Sequence, residues 1–225
     1  MKSNWNSQEF VRWYNENLTP QREQLEKYLH RLKLGSEDLL VDFGCGDGTL
    51  LDFAGRIAEQ AVGIDSSPEQ VSLARKNLSG RSNVRVIQGG FLDFDLPHNK
   101  YTRGSARKSL HHLTDPDKSI FFQRAGEYFL PGSLFIIEDA VFDFPLKDFQ
   151  KRRQYLFDEA ERFYGPGWEG MREAFTEMME REFPTDIHTW ESVLEAGGFS
   201  IIRKWHRTCF YGIILAQKAE TQHER

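Results

Sequence analysis

Cysteine is scarce. The chain has only two, Cys45 and Cys209. They are far apart in sequence, so no disulfide framework is indicated and no metal-ligand spacing is present. Basic residues are outnumbered: 29 Lys and Arg stand against 34 Asp and Glu, for a net charge of −5 and a pI near 5.8. That balance excludes the footprint of a protein whose main partner is nucleic acid. The short basic runs at 103–108 and 151–153 read as local surface features. The N-terminus, Met-Lys-Ser-Asn-Trp-Asn, has no apolar h-region and is not expected to be a secretory signal. No apolar run reaches bilayer length, so no membrane partner is expected and the cytoplasm is the default location. Internal repeats and low-complexity tracts are absent. The 225 residues are 28% charged and 39% hydrophobic, as suits one folded domain with room for an insertion.

The stretch that organises the rest is Leu39–Thr49, Leu-Leu-Val-Asp-Phe-Gly-Cys-Gly-Asp-Gly-Thr. Leu39, Leu40, Val41 and Phe43 read as a buried parallel strand. Gly44, Gly46 and Gly48 then alternate, and Leu50, Leu51, Ala54, Ile57 and Ala58 follow a helical period. A dinucleotide loop would space its glycines as G-x-G-x-x-G. Here they stand as G-x-G-x-G, with Asp42 two residues ahead. That spacing, with no Ser/Tyr-x-x-x-Lys pair, argues against a nicotinamide oxidoreductase. The second strand, Ala61–Asp65, ends in an acid placed to accept the ribose hydroxyls of a nucleoside. Ser67-Pro68-Glu69-Gln70 is a capping box. Asn83–Gln88 is the third strand, Lys100–Ser109 a poor fourth, and Leu134–Asp139 the fifth. Thr19-Pro20 reads as a helix start in an N-terminal preface, with Thr as N-cap. Two helical patterns flank Gly165-Pro166-Gly167. A helix ending at Gly197-Gly198 and two β-runs, 199–206 and 209–218, close the chain.

The strand, Asp42 and the alternating glycines together resemble the class I S-adenosylmethionine-dependent methyltransferases of small-molecule type. So do Leu110-His111-His112-Leu113 after the fourth strand, Leu130-Pro131-Gly132-Ser133-Leu134 before the fifth, and the helix–Gly-Phe–strand–strand ending. The resemblance covers about residues 39–142 and 187–218. It implies an α/β fold: a Rossmann-like, doubly wound, seven-stranded, mostly parallel sheet whose last strand is antiparallel. One methyltransferase domain would span 1–225, with an N-terminal helical cap at 1–38 and a helical lid at 143–186. The cofactor would be S-adenosyl-L-methionine, leaving S-adenosyl-L-homocysteine. The residues holding it would be Asp42, Gly44, Cys45, Gly46, Gly48, Asp65, Ser66, Gly90 and Phe91. His111 and His112 are the candidates for acid–base or orienting work, with one of the two expected to face the site; Glu138 and Asp139 rank below them. A small-molecule acceptor is expected, with Trp13, Tyr14, Phe142, Tyr164 and Trp168 as substrate or lid candidates, and no metal.

Two departures stand out. Gly90 occupies the place where the family usually has an acid for the adenine amino group. Thr102 replaces the usual Asp before the fourth strand, whose core positions hold Arg103, Gly104 and Ser105. Both motivate an alternative, a catalytically inactive cofactor-binding regulatory or partner subunit. A nucleic-acid methyltransferase is disfavoured by acidity and by the lack of an Asn/Asp-Pro-Pro-Tyr/Phe stretch.

Overall fold

The structure is a computed structural model that describes residues 7–18, 20–97 and 100–220, without the side chains of 10, 17 and 18. In chain order the elements are α1 (Gln8–Leu18), α2 (Arg22–Arg31), β1 (Leu39–Phe43), α3 (Thr49–Ala54), β2 (Gln60–Asp65), α4 (Pro68–Asn77), β3 (Val84–Gln88) and β4 (Tyr101–Arg107). There follow α5 (Asp115–Gly126), β5 (Phe129–Phe142), α6 (Phe149–Tyr164), α7 (Trp168–Arg181), β6 (Thr185–Asp186), α8 (Ile187–Ala196), β7 (Phe199–His206) and β8 (Tyr211–Lys218). The sheet order is β3-β2-β1-β4-β5-β8-β7, with the two-residue β6 alongside the end of β5. Only β8 runs antiparallel to its neighbours β5 and β7. The chain reverses direction across the sheet between β1 and β4. At such a switch point the strand ends open a crevice for ligands.

Each face of the sheet buries its own apolar set. Val41, Phe43 and Phe135 pack with Phe121, Phe122 and Trp190 from α5 and α8. Leu40 and Ile136 pack on the other face with Leu25, Tyr28, Leu51 and Val71 from α2, α3 and α4. No helix among the described residues is long and apolar enough to cross a membrane.

The fourth strand, poor in apolar residues, nevertheless forms at the centre of the sheet, parallel to β1 and β5. Its neighbours supply the volume it lacks. A Cβ on Gly104 would lie 2.3 Å from the Phe135 ring and 2.7 Å from that of Phe129. Ser105, fully buried, lies 3.1 Å from the Tyr28 hydroxyl, which also bonds the Ile136 carbonyl. The Arg103 and Arg107 heads are paired, with Asp38 and with the buried Glu138.

Element ends differ from the sequence expectation in four places. Gln21, not Thr19, is the N-cap of α2, and Thr19 lies outside the described residues. The helix after the glycine loop stops at Ala54, leaving Ile57 exposed. Strand β5 begins at Phe129 and carries Pro131 and Gly132 in an irregularity, where Gly132 has φ 78° and the pairing with β4 shifts register. The last strand starts at Tyr211, and Cys209 lies in the turn before it.

Candidate functional site

The glycine loop leaves β1 in a left-handed conformation. Gly44 has φ 74° and Gly48 φ 81°, values that side chains disfavour. A Cβ on Gly44 would also lie 2.4 Å from Ser109 Cβ, so the loop rests directly on the segment after β4. The Gly44 and Cys45 N–H groups donate to the Ile64 carbonyl at 2.8 and 3.0 Å, which fixes the loop to β2. Asp65, at the end of β2, accepts from the Gly46 N–H through Oδ2 and from the Ser67 N–H through Oδ1, both at 2.9 Å. The Ser66 N–H also faces it; a carboxylate has about four acceptor positions, so Asp65 keeps capacity for a ribose hydroxyl. Burial raises its pKa against those N–H bonds.

Of the residues expected to hold the cofactor, Gly44, Gly46, Asp65, Ser66 and Phe91 line one cleft and Asp42 does not. Three other expected residues sit differently. The Cys45 thiol turns inward and fills the space above Gly63. Gly48 packs against Leu78 and Ala74, where it shapes the helix start. Gly90 donates its N–H to Asp93 Oδ1 at 2.8 Å, and the cleft wall here is Gly89 and Phe91. Phe91 is held edge-on to Phe121, with ring centroids 5.7 Å apart.

Asp42 is 2% exposed, and its Oδ1 has no hydrogen-bond partner among the described residues. Burial, opposed by a hydrogen bond from Ser105, pushes its carboxyl up to about 7. A buried acceptor without a donor is costly. An orphaned carboxylate oxygen beneath a bare glycine loop, next to an acid at the end of β2, fits an amino-acid ammonium and a ribose. These residues therefore suit S-adenosylmethionine.

A second cavity, about 240 Å³, opens beside this cleft beneath α6 and α7. Tyr14, Arg107, Lys108 and His112 line both spaces. Lys108 has φ 53°, a strained turn at the exit from β4. Burial and the nearby Arg107 guanidinium lower its pKa to about 8. Burial raises Tyr14 to about 12. Trp13 and Tyr164 also line the cavity. Trp168 instead stacks on Tyr164, at 6.0 Å and 15°, and supports it from behind. Phe142 is fully buried, stacked on Phe144 and Phe149, and stays out of the cavity.

Both histidines reach this cavity, contrary to the expectation that only one could. Leu110–His112 is a turn of 3-10 helix, and its tighter winding fans the two rings around one side, with centroids 4.3 Å apart. His111 Nδ1 lies 2.5 Å from Asp139 Oδ1. Asp139 also accepts the backbone N–H groups of Ser109, Leu110, His111 and Ala140. Burial opposes its ionisation, but His111 and these donors win, and its pKa falls below the usual range. Asp139, ranked low from sequence, is thus central. His111 is depressed by burial and raised more strongly by Asp139 and Glu182, for a net rise.

Glu182 carried no signal in the sequence. It follows α7 in an extended conformation and turns into the cavity. Its Oε2 lies 3.3 Å from His111 Nε2 and its Oε1 lies 3.2 Å from His112 Nδ1. Burial opposes its ionisation, but the two histidines lower its pKa. Neighbouring backbone fixes it there: the Phe183 N–H donates to the His111 carbonyl at 2.8 Å. Lys118, fully buried, bonds the Phe183 carbonyl and Asp115 at 2.7 and 2.9 Å.

With this geometry in view, residues 40–132 match a family described as a methyltransferase domain. An uncharacterized methyltransferase of Oceanobacillus iheyensis is 24% identical, over 87% of this chain and 84% of its own. Another, from Geobacillus kaustophilus, is 25% identical, over 72% of this chain and 69% of its own. A Haemonchus contortus phosphoethanolamine N-methyltransferase, solved with phosphomonomethylethanolamine and S-adenosylhomocysteine, shares the fold. Its TM-score is 0.73 at 12% identity, over 97% of this chain and 61% of that one.

Proposed function

We propose that this class I S-adenosylmethionine-dependent methyltransferase takes as its acceptor a small, partly apolar molecule held in the cavity under α6 and α7. The observation that carries this reading is the shared wall. Tyr14, Arg107, Lys108 and His112 face both the cofactor cleft and a cavity lined by Phe163, Tyr164, Phe175 and Met178. Concave apolar pockets with a few convergent polar groups suit small ligands. Bound S-adenosylmethionine supplies a methyl group already activated on a sulfonium sulfur. Asp42 would meet its ammonium, Asp65 a ribose hydroxyl and Phe91 its adenine. The chain's remaining work is to orient the acceptor, exclude water and handle any proton the acceptor loses. The His111, His112 and Glu182 edge would do the first and third, with Asp139 fixing the His111 ring. Helices α6 and α7, the segment 143–186, would act as a lid over the cavity.

A labelled-cofactor screen against small-molecule pools tests this reading, with transfer to a small acceptor expected. Ala174→Trp, which fills the cavity from α7, should then lower kcat/KM at least tenfold and leave S-adenosylhomocysteine affinity within a few-fold. Exchange of 143–186 for a short turn should abolish turnover. Label found only in protein or nucleic acid, or full turnover by Ala174→Trp, would sink the small-molecule assignment.

A further inference from the structure

We infer that His111 Nε2, His112 Nδ1 and the Glu182 carboxylate form a binding site for one divalent transition-metal ion, with open coordination positions facing the acceptor cavity. The ligand atoms lie within 4.8 Å of one another. The Glu182 carboxylate spans the pair, one oxygen per histidine, at 3.3 and 3.2 Å. Metal–ligand distances of about 2.0–2.1 Å in a tetrahedral site set ligand–ligand edges of about 3.3 Å. Each histidine nitrogen is therefore at edge distance from one Glu182 oxygen, and with one ligand atom per residue the set, within 4.8 Å, would draw together on a metal.

The surroundings have the arrangement a metal site uses. A metal-ligating histidine usually gives its other ring N–H to a carboxylate, which fixes the tautomer. His111 Nδ1 does this with Asp139, itself held by four backbone N–H groups. That leaves Nε2 directed at Glu182. Two imidazoles and one carboxylate suit Zn2+, Fe2+ or Co2+, whereas Mg2+ prefers an all-oxygen shell. Protein supplies three ligands, so at least one position remains for water or an acceptor atom. The cavity on that side is lined by Tyr14, Tyr164 and Met178. No sequence spacing reveals the site, because its ligands come from the turn after β4 and from the end of α7.

The inference rests on the acceptor cavity of the preceding reading and sharpens it: the acceptor would carry an oxygen donor that can enter the metal's open position. Coordination there would orient that oxygen and make its proton easier to lose to water.

Metal binding can be read without turnover. The full chain, stripped with a chelator, is titrated with Zn2+ and with Co2+ by calorimetry and visible absorption. One equivalent should bind, with cobalt d–d bands typical of mixed nitrogen and oxygen ligands. Glu182→Gln and His112→Ala should each weaken binding at least tenfold, with an unchanged circular dichroism spectrum as the check on folding. Absence of Zn2+ and Co2+ binding to the unaltered chain at millimolar concentration would overturn the inference. So would binding unchanged in both variants, or binding of Mg2+ alone. The two proposals fail separately. Transfer to a small acceptor that survives chelation and Glu182→Gln would remove the metal and keep the acceptor. Stoichiometric metal binding with label transferred only to a polymer would do the reverse.

Discussion

The cleft proposed for the cofactor and the cavity proposed for the acceptor share a wall and are built by opposite means. The base of the cleft is made of backbone: left-handed glycines, the Gly46 and Ser67 N–H groups, and one acid at a strand end. Its parts lie close together in sequence and the sheet edge aligns them. The cavity is made of side chains from separate elements: Tyr14 from α1, His111 and His112 after β4, Asp139 from β5, Tyr164 from α6, and Glu182 after α7. A backbone site is insensitive to most side-chain changes and intolerant of any at its glycines. A side-chain site is the reverse, and Tyr14, Arg107, Lys108 and His112 are where the two meet. Substitutions that damage one region and spare the other therefore test the division.

The largest effect should come from Asp139→Asn. The amide cannot hold the His111 tautomer as the carboxylate does, so turnover of an identified acceptor should fall about 10²–10⁴-fold. Affinity for S-adenosylhomocysteine, measured by calorimetry, should stay within a few-fold. An equal loss of both would mean the regions do not separate at Asp139. Next is Gly44→Ala. A left-handed alanine costs about 1–3 kcal/mol, and the contact with Ser109 adds overpacking. Denaturant unfolding should show a loss of about 2–4 kcal/mol, and a variant as stable as the parent would remove the strain argument. Asp65→Ala comes third. It should weaken cofactor binding by about 1.5–3 kcal/mol, the range for hydrogen bonds to a charged acceptor. Unchanged calorimetric affinity would take Asp65 out of the site.

The same division explains what the sequence makes legible. Residues 39–48 carry strand, loop and acid in one contiguous stretch, and the structure forms them as read. Asp65 and Phe91 follow from their places at strand ends. Glu182 could not be read this way. Nothing in Arg181-Glu182-Phe183 marks it, and its position depends on Lys118 and the His111 carbonyl holding Phe183. Asp139 was visible as one of an acid pair, but three of its four N–H donors, those of Ser109, Leu110 and His111, reach it only once the turn after β4 packs on β5. The fourth strand failed as a sequence pattern for a related reason. Its apolar volume belongs to Phe135, Phe129 and Tyr28, which stand on other elements. Phe142 and Trp168 show the converse, aromatic residues that support the walls without forming them.

The smallest effect is a pH dependence on the cofactor side alone. Asp42 is buried, and its carboxyl is raised from 3.8 to about 7. The folded chain therefore holds this proton more tightly than the unfolded chain between those two values. Stability from Asp42 is fully present below 3.8, is lost as pH rises through 7, and changes little above it. The slope inside the window is at most about 1.4 kcal/mol per pH unit and is expected nearer 1. Asp42→Asn should remove it, so the variant should gain on the parent from pH 5 to pH 8 in denaturant unfolding. Bound S-adenosylhomocysteine, whose ammonium would face Asp42, should pull its pKa down and shrink that gain. Binding near pH 7 should then release a fraction of a proton, read by calorimetry in buffers of different ionisation enthalpy. The Asp42→Asn variant should release none from this position. Equal proton release by both would place the ammonium elsewhere and leave Asp42 a purely structural acid.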